Sequence, residues 1–272
     1  MTNQRRLRFV ALGDSTTVGI GDAVPRSGWR GWSRLLAAEL ARTHRLSYTN
    51  IAVAGATSRS VRADQLPAAL RLRPQLASVI VGVNDTMRSD WDPGRVRDDI
   101  VGCVAALTQA GAVVMTLRFQ EHGSLFRLPG LLRRPLLRRI AEVNAAYDLA
   151  HADHGGILLD LSTHPAVRMP AYWSIDRLHP NEAGHRLLAR EFAVTLQARG
   201  YELSCPATEA GTTASRWSEY WWLLYEGMPW LGRRANDLVP WMIRLAAAEA
   251  TARAGLARVT SPVVDAPPRP ES

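Results

Sequence analysis

Apolar positions along this chain alternate between short continuous runs and longer stretches in which they recur every third or fourth residue. The runs Leu7–Leu12, Ser47–Val53, Ala77–Val83, Ala112–Leu117 and Ile157–Leu161 read as buried strands. Helical spacing lies between them. A helix is expected at about 29–42, with Trp32, Leu35, Leu36 and Leu40 inward, and others at about 60–72 and at 93–110, where Ile100, Val104 and Leu107 share a stripe. Two more follow at about 136–152 and 181–199. The stretch 118–135 breaks the pattern with Gly123, Pro129, Gly130 and several arginines and is expected to be a long loop or lid.

Strands alternating with helices imply an α/β fold, a three-layer α/β/α arrangement around a five-stranded, mostly parallel, doubly wound sheet with right-handed crossovers. If the strand order is the common 2-1-3-4-5, the tips after the first three strands emerge side by side, about 4.8 Å apart. Those tips carry Ser15, Gly55 and Asn84. The fifth strand is then about 14 Å from the first, and the loop 162–180 is long enough to fold back.

Beyond Tyr201 the pattern changes. Five of the nine tryptophans fall between Trp217 and Trp241, where apolar residues recur at helical spacing on either side of Pro229. The expected organisation is a catalytic domain over 1–204, a helical, Trp-rich extension over 205–260 and a disordered Pro-rich tail over 261–272. The extension either packs on the domain or offers an amphipathic surface for peripheral membrane or lipid contact, with Arg233 and Arg234 at the headgroups.

Composition narrows the classes. The chain has 272 residues, 47% of them hydrophobic, enough for one sizeable domain with a packed core. Its net charge of +8 comes from arginine alone, since it contains no lysine, a skew that does not by itself imply a nucleic-acid partner, and none is expected. Cys103 and Cys205 lie far apart without metal-ligand spacing and read as free thiols of a reducing compartment. The apolar stretch after Arg5, Arg6 and Arg8 is consumed by the first strand, so a cytoplasmic location is expected, and no continuous apolar run suits a membrane span.

Gly13-Asp14-Ser15 ends the first strand ahead of a turn, where a serine gains helix amino-terminal N–H groups and dipole, although the same tripeptide suits a plain loop or an N-cap. A serine nucleophile needs a base and a group to orient it. Asp176 and His179, with two residues between them on one turn, supply such a pair, while His179 could alternatively be a helix-start histidine before Pro180. Donors for a tetrahedral oxyanion would be the Ser15 and Gly55 amides and the Asn84 side chain, and Gly55 allows close backbone approach. Asp85 would brace the Asn84 loop. His151, Asp153 and His154 resemble a metal set only superficially, at a helix end before Gly155, and His164 lacks a placed carboxylate.

These blocks resemble the SGNH, or GDSL, family of serine hydrolases. The matching stretches are Gly13-Asp14-Ser15, Gly55 within Asn50-Ile51-Ala52-Val53-Ala54-Gly55-Ala56, Gly82-Val83-Asn84-Asp85, and Asp176-Arg177-Leu178-His179-Pro180, in the family's order. Thr16 stands where the family's name motif has leucine, and the Gly-x-Ser-x-Gly elbow of α/β-hydrolases is absent. The resemblance implies Ser15 as nucleophile, His179 as base, Asp176 as orienting acid, and Ser15, Gly55 and Asn84 as the oxyanion hole. It implies no cofactor and no metal, and a small-molecule or lipid acyl ester or thioester as substrate. An acyltransferase using the same triad remains open, as does a non-catalytic protein holding anionic ligands at 118–139. Arg118 and Arg127 would suit an anionic head group. Oligomeric state is not legible.

Overall fold

The computed structural model describes residues 6–25, 28–120, 130–174 and 176–207, with 247 and 251. The expected extension and tail lie outside the described residues apart from 205–207 and those two positions. Seven strands and eight α-helices are needed to follow the described chain. Strands β1 (Arg6–Gly13), β4 (Arg45–Asn50), β5 (Leu76–Ile80), β6 (Val113–Arg118) and β7 (Ile157–Asp160) form one parallel sheet in the order β4-β1-β5-β6-β7. This is the 2-1-3-4-5 order that the pattern suggested.

Burial follows position in the sheet. Every residue of β5 is buried and so is most of β1, whereas the edge strand β4 alternates exposed and half-buried positions. Helices α2 (Gly31–Leu40) and α8 (Glu182–Ala198) pack together on one face, where the Trp32 and Phe192 rings meet at 4.8 Å. On the other, α6 (Pro93–Gln109) packs along α7 (Gly130–His154). A helical segment comprising α3 (Ser58–Ser60), a π turn (Val61–Gln65) and α4 (Leu66–Arg71) leads from β4 towards β5.

Two expectations need correcting. The stretch 118–135 is not loop throughout: helix α7 starts at Gly130 and carries Pro135 inside it, while 121–129 lie outside the described residues. The turn expected beyond Gly13-Asp14-Ser15 leads into a small antiparallel ribbon, β2 (Ala23–Val24) with β3 (Gly28–Trp29), too short to leave a periodic signal.

The carboxyl ends of three central strands share a device. Gln65 accepts from the Gly13 N–H (2.9 Å) and donates to the Gly13 carbonyl (3.0 Å). Tyr147 accepts from the Val81 N–H (2.9 Å) and donates to the Val81 carbonyl (2.8 Å). Asn144 treats Phe119 likewise, at 2.8 and 2.9 Å. Each buried side chain satisfies both backbone groups where the chain leaves the ladder, which would otherwise cost about 1–3 kcal/mol per stranded group. Gln65→Ala orphans the Gly13 N–H and leaves its carbonyl only the Val53 N–H at 3.2 Å, and we expect unfolding free energy in urea to fall by about 1–3 kcal/mol; a loss under about 0.5 kcal/mol would contradict the clamp.

Candidate active site

Ser15 opens the one-turn helix α1 (Ser15–Val18), directly beyond β1. Gly13 precedes it at φ +149, and a Cβ there would lie 2.3 Å from the Ile80 carbonyl oxygen, so only glycine lets β1 turn this close to β5. Asp14 is the N-cap, its carboxylate accepting the Thr16 N–H at 3.0 Å. The Ser15 N–H makes no hydrogen bond among the described residues, as expected for a first-turn donor. Asn50, at the end of β4, donates to the Thr17 carbonyl at 2.7 Å and ties α1 to the neighbouring strand.

The loop after β7 folds back across the sheet, as its length allowed. His179 Nε2 lies 2.9 Å from Ser15 Oγ, and His179 Nδ1 lies 2.7 Å from Asp176 Oδ2. The other oxygen of Asp176 accepts the backbone N–H groups of Leu178 (2.9 Å) and His179 (3.0 Å). Arg177, between them, sits at φ +56, a left-handed conformation uncommon for a residue with a Cβ. That turn brings imidazole, carboxylate and both N–H groups onto one centre.

Asn84, in the one-turn helix α5 (Val83–Thr86) beyond β5, is buried, and its side-chain nitrogen lies 3.0 Å from the Ala56 carbonyl and 3.4 Å from Asp14 Oδ2. The second hydrogen of that amide is thus only loosely held. Gly55 stands in the loop after β4 at φ +79, which favours glycine. Asp85 takes the Ser58 hydroxyl (2.7 Å) and N–H (3.0 Å), so it braces the Asn84 loop against the start of α3. The five residues singled out from sequence therefore sit on the carboxyl edge of one sheet, and Ser15, His179 and Asp176 form one hydrogen-bonded line.

Burial shapes the charges nearby. Desolvation pushes the fully buried Asp14 carboxyl up to about 6, against its N-cap hydrogen bond and the charge of His179. Desolvation also raises Asp85, against its Ser58 bonds. At Asp176 burial works upwards, but the His179 bond and charge with the two N–H bonds outweigh it and hold the carboxylate below its ordinary value. His185, buried in α8, is pushed down to about 4 by desolvation; its Nδ1 accepts the Trp32 N–H (3.3 Å) and its Nε2 faces the Ile20 carbonyl (3.0 Å). Gln65, Tyr147 and His185 position the site, yet their spacing carries no signal beyond that of polar residues on helices.

Beside Ser15 lies a cleft of about 50 Å³ with Val83, Met87, Leu117, Phe119 and Trp173 on its walls. Arg118 is engaged elsewhere, with Asp148 (3.4 Å) and Asp160 (3.5 Å), which corrects the expectation that it serves an anionic head group; Arg127 lies outside the described residues. His164 caps a short 3-10 helix, and His151 and His154 end α7.

The profile of the GDSL-like lipase/acylhydrolase family matches residues 11–187. The chain belongs to that family. It is an SGNH-type enzyme that hydrolyses esters. No curated protein sequence matches it. Solved structures share the fold of this family member. The psychrotrophic esterase EstA from Pseudoalteromonas sp. is 17% identical, with 72% of this chain and 100% of that one covered at a TM-score of 0.57. LAE5, an α/β hydrolase enzyme from the metagenome of Lake Arreo, is 23% identical over 74% and 98%, at 0.58. Axe2, an acetylxylan esterase from Geobacillus stearothermophilus, is 20% identical over 74% and 98%, at 0.57. Among the described residues of this hydrolase no helix is long and apolar enough to cross a membrane.

Asp14 and His185 pull stability in opposite directions with pH. The folded state holds the Asp14 proton up to about pH 6, against an ordinary value of 3.8, so its contribution is complete below 3.8 and is lost as pH rises through 6. The folded state resists protonating His185 until about pH 4, against 6.5, so its contribution is present above 6.5 and is lost as pH falls. We expect the stability of Asp14→Asn relative to the unmodified protein to climb by about 2 kcal/mol between pH 4 and 7, read from urea unfolding; a flat or falling difference would contradict the assigned burial cost.

Proposed function

We propose that this family member cleaves small acyl esters through an acyl-enzyme on Ser15, within a catalytic unit spanning 1–204. The observation that carries the reading is the continuous line from Ser15 Oγ to His179 at 2.9 Å and from His179 to Asp176 at 2.7 Å. With Nδ1–H donated to Asp176, Nε2 is left as the acceptor for the serine proton. Ser15 Oγ attacks the ester carbonyl as that proton moves to Nε2. The oxyanion takes hydrogen bonds from the Ser15 and Gly55 N–H groups and from the Asn84 amide, whose loosely held hydrogen turns away from Asp14. Collapse expels the alcohol, which takes the proton from Nε2, and water repeats the cycle to free the acid and regenerate Ser15.

Asp176 does not need to take up the proton. Its depressed pKa keeps it a carboxylate that favours the imidazolium formed during each step. Two neighbours add support. The EstA structure is one inhibited by monoethylphosphonate, and the catalytic mutants of Axe2 replace a histidine and an aspartate three positions before it, the spacing of His179 and Asp176 here. The cleft of about 50 Å³ suits a short acyl group.

Three outcomes are expected. Ser15→Ala abolishes both ester turnover and labelling by a fluorophosphonate probe, and persistent labelling would end the assignment. Asn84→Ala lowers kcat by about 10²–10³ while circular dichroism stays unchanged, whereas an undiminished kcat would remove Asn84 from the oxyanion hole. Across p-nitrophenyl esters, kcat/KM is highest for acetate to butyrate and falls for decanoate; a maximum at long chains would contradict the small cleft.

A further inference from the structure

Ser15 and His179 lie 164 positions apart in the chain, and the segments that carry them are tied together just beyond the reacting atoms. On the serine side, the Ser15 carbonyl accepts the N–H groups of Gly19 (3.0 Å) and Ile20 (3.1 Å), and the Asp22 N–H returns to the Gly19 carbonyl (3.0 Å). Asp22 is only 2% exposed, and its carboxylate takes the Arg30 guanidinium at 2.9 and 2.8 Å and the Gly31 N–H at 3.2 Å. On the histidine side, Ser174 donates its N–H to the His179 carbonyl (2.9 Å) and Asn181 donates its own to the Tyr172 carbonyl (3.1 Å). The Asn181 side chain adds bonds to the carbonyls of Ala171 (2.8 Å) and Trp173 (3.2 Å), so the backbone around His179 is folded onto 171–174.

Gly21, His185 and Arg30 join the two sides. Gly21, at φ +101, sits so close to Pro180 that a Cβ would come within 2.0 Å of the Pro180 carbonyl oxygen. His185 Nε2 faces the Ile20 carbonyl at 3.0 Å. Arg30 makes the charged link. Its Nε and one terminal nitrogen hold Asp22, and that same terminal nitrogen reaches Glu182 Oε1 at 2.8 Å with its second hydrogen. Glu182 opens α8 three residues beyond His179, and one turn further on Arg186 meets the same oxygen at 2.9 and 3.0 Å.

Resting on the ester-cleavage reading above, we infer that Arg30 is a positioning residue for the reaction, bridging Asp22 and Glu182 so that the loop carrying His179 stays seated against the turn carrying Ser15. The contact at Gly21 sets how near that loop can come but does not stop it from lifting. A guanidinium does, because its rigid fork keeps one carboxylate while a remaining N–H holds a second. The link acts through distance alone. Proton transfer needs Nε2 within about 3.2 Å of the hydroxyl, and a displacement of about 1 Å costs much of the rate. Neither Arg30 nor Glu182 lines the cleft beside Ser15, so the substrate's own contacts are untouched.

Removing Arg30 would strand the buried Asp22 charge and endanger the fold, so the link is cut from its other end. Glu182→Ala keeps the Asp22–Arg30 pair and loses the crossing bond together with the Arg186 pair, whereas Arg186→Ala loses only the latter. With kcat counted per Ser15 titrated by a fluorophosphonate, we expect Glu182→Ala to lower kcat on p-nitrophenyl acetate at least about fivefold with KM within about twofold, and Arg186→Ala to keep kcat within about twofold. A smaller loss in Glu182→Ala, a loss carried by KM, or an equal loss in Arg186→Ala overturns the proposal. Hydrogen exchange of the full chain reads the link without turnover: the peptide spanning 172–185 should exchange at least about threefold faster in Glu182→Ala than in Arg186→Ala while β5 stays protected in both. Equal exchange overturns the proposal. Faster exchange of that peptide in a protein inert towards p-nitrophenyl esters would leave the link standing and remove the ester reading instead.

Discussion

The site depends on how a parallel sheet stops. At the carboxyl end of each central strand the backbone must leave its ladder, and the N–H and C=O groups that lose their partners are too deep for water to satisfy. Gln65, Tyr147 and Asn144 resolve this at Gly13, Val81 and Phe119, each with one donor and one acceptor aimed at a single residue. The chain thus leaves the sheet at fixed points. From two of them spring Ser15 and Asn84, so the proposed nucleophile and the proposed oxyanion-hole amide inherit the sheet's rigidity rather than the freedom of surface loops.

The same burial that fixes the loops sets their electrostatics. Asp14 is enclosed well enough to hold its proton to about pH 6, while Asp176, only partly enclosed and surrounded by donors, stays ionised. Two carboxylates near one imidazole are thereby driven apart in their readiness to ionise. The one bonded to His179 keeps its charge, and the one behind Ser15 keeps a proton into mildly acidic conditions. His185, buried and neutral, joins the Ile20 turn to α2 from within α8 and adds no charge near His179 at neutral pH.

Much of this was legible beforehand, for identifiable reasons. Short apolar runs bounded by Gly13, Gly55 and Gly82 marked strands and their turning points, and the topology followed from their alternation with helices. Ser15, Asp176 and His179, which the structure sets in one hydrogen-bonded line, could be singled out because the proposed chemistry would use those residue types, at a strand end and in the long loop after the last strand. Gln65, Tyr147, Asn144 and His185 could not, since a polar residue facing a backbone group across the core has the same local pattern as one facing solvent. Helix α7 was read as starting too late because Pro135 and the neighbouring arginines mimic a loop, yet the side chain of Arg139 supports the turn after Asn84. The misassignment of Arg118 has a similar origin, because Asp148 and Asp160 approach it only once β7 pairs with β6.

The central claim is that strand ends far apart in sequence bring a hydroxyl, an imidazole and amide donors together so that Ser15 carries the acyl group. Acid-quenching the enzyme during turnover of a p-nitrophenyl ester, followed by tryptic mass mapping, tests it most directly. The peptide spanning residues 9–26 should carry one acyl group, located on Ser15, and should lose it on a chase with buffer. Rapid turnover with that peptide unmodified throughout, or an acyl group on another residue, would contradict the account.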